Sequence, residues 1–182
     1  MTEIVQAIDD FIDNRYEYAK KLYGFCELSR KTAGEGNVEQ IMPMTIPDPP
    51  GASRERVALD DRYNFITWTR WVNPVQYEVS EEWSFGKDEA RVGTVTLRLV
   101  LAHKTSLGED IVLDLVNALP TEFTISGYQF AFVVGNPSID PDHEGIWQTE
   151  FSNTAYEKHR FTWNLYAVNI TVQFLECEEM TP

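Results

Sequence analysis

Apolar and polar positions alternate most clearly over residues 92–102, where Val95, Leu97, Leu99 and Leu101 interleave with Thr94, Thr96 and Arg98. A period of two sends successive side chains to opposite faces of a sheet, so this stretch predicts a strand with one apolar face. Residues 161–175 carry the same signature, with Tyr166, Val168, Ile170, Val172 and Phe174 inward and Ala167, Asn169, Thr171 and Gln173 outward. The outward set predicts a sheet with one wet or partner-facing side. Further strands are expected over 38–46, 62–72, 75–85, 123–134 and 145–151, with a Pro-rich loop at 47–51, Pro74 between two strands and a loop over 136–145.

Two stretches repeat at helical spacing instead. Residues 2–30 place Ile4, Ile8, Phe11, Ile12, Arg15, Ala19, Leu22 and Cys26 at steps of three and four, with Thr2 as N-cap and Gly34 and Gly36 as the stop. Residues 109–119 do so through Ile111, Val112, Leu115, Val116 and Leu119, and Pro120 closes them. The order helix, strands, helix, strands predicts an α+β fold over 1–182 as one domain. Its sheet is mainly antiparallel, with the N-terminal helix and a second helix packed on one face. A long hairpin extension is expected at about 75–94, with a charged tip over 86–91.

Charge narrows the function classes. The chain has 15 Lys and Arg against 29 Asp and Glu, a net charge of -14, so phosphate backbones are repelled and sequence-directed nucleic-acid binding is not expected. Five Trp, eight Tyr and ten Phe suit pleated faces, a core or an oligomer interface. Cys26 and Cys177 have neither zinc-ligand spacing nor the density of a disulfide framework. The acidic start lacks a leader-like basic and apolar pattern, and no apolar run reaches the roughly 18 residues of a membrane span; the expectation is a protein made and folded in a cytoplasm.

Candidate chemistry is sparse. Asp140-Pro141-Asp142-His143-Glu144-Gly145 resembles the opening of a calcium loop, but the twelfth position is Phe151 where a bidentate Glu belongs, so a solvated turn and no metal are expected. His103, His143 and His159 sit in no catalytic motif; His103 and His159 read as exposed strand-end positions, and no catalytic residue is expected. Glu78, Glu81, Glu82, Asp88 and Glu89 could supply a glycosidase carboxylate pair with Trp83 as sugar platform, and Trp68, Trp71, Trp147 and Trp163 could line a groove; a solvated hairpin and a packed core are the simpler readings. The sequon Asn169-Ile170-Thr171 falls inside a predicted strand and reads as chance. No glycine loop cradles a phosphate, and no cofactor is expected.

The strand Gly93 to Leu101, the helix ending Leu115-Val116-Asn117-Ala118-Leu119-Pro120, the segment Ile125 to Phe130, Gly145-Ile146-Trp147 and the last strand Tyr166 to Phe174 form a pattern of elements. Together with the N-terminal helix, it resembles the tail terminator (tail completion) proteins of long-tailed bacteriophages. The resemblance implies a non-enzymatic virion protein of the tail or neck, made in the host bacterial cytoplasm. It implies self-association into a ring, a hexamer, that caps the tail tube protein and joins it to the head-tail connector protein. DNA would pass the lumen unbound, and no membrane is involved. The expected interface is the hairpin: Glu78, Glu81, Glu82, Trp83, Phe85, Lys87, Asp88 and Arg91. The alternatives are a head-tail connector or stopper subunit, a non-catalytic carbohydrate-binding module using exposed Trp, and an enzyme with dispersed carboxylates.

Overall fold

In the computed structural model, residues 2–33, 38–46, 51–79, 90–126, 129–151 and 158–177 are described. Helix α1 (Thr2–Arg15) leads into strands β1 (Lys20–Ala33), β2 (Val38–Thr45), β3 (Phe65–Trp71), β4 (Gln76–Val79) and β5 (Ala90–Lys104). Helix α2 (Asp110–Ala118), strands β6 (Glu122–Ser126), β7 (Gln129–Val133) and β8 (Ser138–Ile139), helix α3 (His143–Glu150) and strand β9 (Trp163–Cys177) complete the chain. The described strands join into a nine-stranded sheet of order β2-β1-β3-β5-β9-β7-β6, with β4 paired to β5 and β8 to β9. Pairing is antiparallel except between β1 and β3, which run parallel. The α+β class and the mainly antiparallel sheet hold.

The two strands with the clearest alternation form the spine. β5 and β9 pair along their whole lengths, from Ala90 opposite Cys177 to Lys104 opposite Trp163. Leu97, Leu99 and Leu101 on β5 and Val168, Ile170 and Val172 on β9 share one face. Helices α1 and α2 cover it with Ile4, Ile8, Ile12, Ile111, Val112 and Leu115, all buried. The two expected helices therefore lie against one face of the sheet.

The other face is not simply wet. Ile66, Trp68, Val100, Ala102, Leu165 and Ala167 pack there against Ile146, Trp147 and Phe151 of α3 and its end, and against Val57 and Leu59. Ala167, expected outward, is fully buried. Residues 145–151 are mostly helix rather than strand, because the Asp142 carboxylate accepts the backbone N–H of Gly145 at 2.9 Å and caps the first turn. Within the expected loop at 136–145, Ser138 and Ile139 pair with β9.

The main correction concerns residues 16–33. The first helix stops at Arg15, and the chain re-enters the fold as a 14-residue strand. Two devices end the helix. Arg15 forks onto Asp114 of α2 at 2.6 and 2.8 Å, and Lys20 donates its ammonium protons to the terminal carbonyls of Asp13 and Tyr16. Gly24, which would be costly inside a helix, has φ 67° where the β1–β3 register shifts between Leu22 and Phe25. Beyond Phe25 the ladder passes to β2, from Cys26 opposite Thr45 to Ala33 opposite Val38.

The base of the expected hairpin is present: Gln76 to Val79 pair with Thr94 to Arg91. Its tip lies outside the described residues. Opposite Phe174, Gly93 has no room for a side chain, since a Cβ there would stand 2.5 Å from the ring. Gly93→Ala is expected to cost roughly 1–3 kcal/mol by displacing Phe174, measured as a lower urea midpoint with an unchanged slope.

Candidate functional site

The buried polar groups belong to the sheet's second face. Glu150, fully buried at the end of α3, accepts the indole N–H of Trp68 at 3.0 Å and the guanidinium of Arg70 through Nε at 3.0 Å. Arg98 lies 3.9 Å from the same carboxylate and donates to Asp140 at 2.8 Å. Two arginines and two carboxylates balance, and α3 is tied to β3 and β5. The Asp140 carboxyl is held below its ordinary range by the backbone N–H of Asp142, and further by Arg98. These groups face one another and leave little chemistry to offer a substrate. Such a pair is costly to half-remove. Glu150→Gln is expected to destabilise by roughly 3 kcal/mol, whereas Arg70→Met combined with Glu150→Met should lose less than the two single changes summed, as read from a double-mutant cycle of urea melts.

The turn singled out for its resemblance to a calcium loop is occupied by its own hydrogen bonds. Asp140 receives Arg98 and the N–H of Asp142, and Asp142 caps α3. Among the described residues no group of three His, Cys, Asp or Glu side chains gathers in a way that could hold a metal.

His103 corrects the expectation of an exposed strand end. It is fully buried, stacked on Tyr166 with ring centroids 5.1 Å apart, and its Nδ1 lies 3.1 Å from the Lys104 carbonyl. Burial pushes its pKa down. His143 is exposed and meets Tyr166 edge-on at 4.7 Å. His159 is half-buried and lies away from these rings in sequence and element.

Asp9 is the outlying titratable group. It is buried on α1, Oδ1 has no hydrogen-bond partner, and burial, aided by neighbouring Asp10, pushes its pKa up to about 7. Oδ2 lies 3.6 Å from where a Cβ on Gly24 would stand, so this carboxyl underlies the strand at its shift in register. The folded chain holds this proton until about pH 7, while an unfolded chain releases it near the ordinary 3.8. Stability therefore falls as pH rises between those values and levels off above them. Asp9→Asn is expected to gain roughly 2 kcal/mol at pH 8 and almost nothing at pH 4, measured by urea melts across that range.

What remains is surface. Trp71, Val72, Tyr77 and Val79 are 41%, 46%, 49% and 55% exposed and follow one another along the edge of β5. They lie at the end of the sheet where β4 replaces β3. Beside them, where β1 leaves β3, a groove of about 270 Å³ is lined by Phe25, Cys26, Glu27, Leu28, Ile46, Arg70 and Trp71. Phe25 packs on Trp71 with ring centroids 5.2 Å apart. Burial pushes the Cys26 thiol up to about 12, so it acts as an apolar wall.

Of the interface residues expected from sequence, Glu78 is exposed on β4 and Arg91 is half-buried opposite Val79. Glu81, Glu82, Trp83, Phe85, Lys87 and Asp88 lie outside the described residues, as does Glu89 of the carboxylate pair. Trp68, Trp147 and Trp163 are core side chains, so they present no platform to a sugar; Trp71 is the exposed one among the described four. The sequence reading missed the Arg70–Glu150 and Arg98–Asp140 pairs. Arg98, a lone cation amid Leu and Val, was their one signal. No family model, curated protein or solved structure matches the chain.

Proposed function

We propose that this protein is a structural, non-catalytic assembly subunit, a tail terminator of a long-tailed bacteriophage. It forms a ring, a hexamer, that caps the tail tube and joins it to the head connector, with DNA passing an acidic lumen without adhering. The observation that carries the assembly reading is the uncovered end of the sheet. Trp71, Val72, Tyr77 and Val79 are all exposed along the edge of β5, at the end of the sheet beyond the helices. Large apolar side chains grouped at a sheet end mark a contact surface more than they do when scattered. The likeness in element order to tail terminators supplies the kind of assembly. The net charge of -14 suits a channel that must not hold phosphate. A head-tail connector ring would use the same surface.

The test is native mass spectrometry with negative-stain imaging. The wild-type chain is expected to give one closed oligomer, with six copies in each ring. Val79→Asp should give monomers with an unchanged circular dichroism spectrum. A chain that stays monomeric up to its solubility limit, alone and with purified tail tubes, refutes the reading.

A further inference from the structure

Among the described residues, seven buried side-chain atoms have no hydrogen-bond partner, and three of them border one break in the sheet. β1 and β3 pair in parallel from Lys20 opposite Phe65 to Leu22 opposite Thr67, lose register, and pair again at Phe25 opposite Thr69. Thr67 and Thr69 therefore flank the break, and their buried hydroxyls are two of the three atoms. Each stands opposite a leucine of the helix-covered face, Leu101 and Leu99, so both lie on the side that α1 covers. The third atom is Oδ1 of Asp9 on α1. The other oxygen of that carboxyl is 3.6 Å from where a Cβ on Gly24 would stand, directly under the irregular part of β1.

The break is also where the sheet holds β1 least. Four residue pairs join β1 to β3, against fifteen between β5 and β9, and from Cys26 onward β1 pairs with β2. Gly24, at φ 67°, supplies a backbone pivot inside that short ladder. Opening the ladder would return water to all three unpartnered atoms and leave the spine intact.

No charge around Asp9 favours its ionised form. Burial, aided by Asp10, raises its pKa to about 7. On β1, Lys20 pairs with Asp13 and Lys21 with Glu55, while the Cys26 thiol is pushed up to about 12 by burial and then by Asp9. On α2, Asp114 is held by Arg15 and Tyr16. Glu122 of β6 is exposed, and on β5 His103 stacks on Tyr166 of β9. Once open to water, the carboxyl releases its proton near the ordinary 3.8. Opening therefore becomes easier as pH rises from about 4 to about 7 and changes little above that.

We infer that Asp9 is a pH-sensitive latch on the β1–β2 arm. With its proton the carboxyl keeps the β1–β3 break closed; without it the break opens, water reaches Asp9, Thr67 and Thr69, and the arm pivots at Gly24.

Hydrogen–deuterium exchange of the full chain tests this, read by mass spectrometry on wild type and Asp9→Asn at pH 4 and pH 8. Comparing the two chains at one pH cancels the intrinsic dependence of exchange on pH. At pH 8, wild-type amides of residues 20–25 are expected to exchange about tenfold or more faster than those of 97–101, with little response to low urea, as local opening requires. Asp9→Asn is expected to slow residues 20–25 about tenfold or more at pH 8 and to change them less than about threefold at pH 4. If residues 20–25 exchange no faster than the spine, they open only with the whole fold, and the latch is overturned. If they exchange faster but alike in both chains at pH 8, the opening does not depend on Asp9 and the inference falls. Should Asp9→Asn misfold, wild type decides: protection of residues 20–25, corrected for intrinsic rates, that stays constant from pH 4 to pH 7 overturns it.

Discussion

Fifteen consecutive residue pairs join β5 to β9, and most other features of the structure answer to that ladder. At about 3.4 Å per residue it runs roughly 50 Å, two to three times the usual strand. Both faces of so long a ladder need cover. α1 and α2 supply it on one side, and α3 with the Val57–Leu59 stretch supplies it on the other, toward the Trp163 end. At the Ala90–Cys177 end, β4 extends the sheet instead, and its four residues are exposed. The uncovered apolar corner thus follows from a spine longer than the helices laid across it.

The ionic groups on the second face guard the register of that spine. Arg98 sits opposite Asn169 in the ladder and points toward Asp140 and Glu150. A slip by one residue would turn its guanidinium into the helix-covered face among Leu97, Leu99 and Ile12, where nothing could pair with it. Desolvating two arginines and two carboxylates gains little net stability compared with apolar packing. It makes the wrong pairing far worse than the right one, and it anchors α3 where Glu150 meets Trp68 and Arg70.

Elements held by local pattern were legible in the sequence. The alternation in β5 and β9, the apolar steps of α2 and the proline after it needed no knowledge of partners. Residues 16–33 were misread because Ala19, Leu22 and Cys26 fit a period of 3.6, while the parallel pairing with β3 that holds Lys20 to Phe25 lies some 45 residues away, and Cys26 onward pairs with β2. Gly24 was the local clue. α3 was hidden by its own cap: the Asp-rich turn that resembles a cation loop is the start of a helix, and Asp142 spends its carboxylate on a backbone N–H. The polar network joins residues 42 to 82 apart, and no spacing rule reaches that far. Of the candidate site, the charge of the hairpin was readable, but the groove was not, since it exists only where two strands diverge.

That divergence costs stability. β1 leaves β3 just past Gly24, after Phe25; the left-handed backbone of Gly24 is one no β-branched residue would tolerate, and beneath it lies a carboxyl, Asp9, that burial keeps protonated up to about pH 7. Neither choice is the most stable one for a sheet edge. The strain and the buried acid sit where β1 separates from β3, so the least optimised part of the fold is the part that opens the groove.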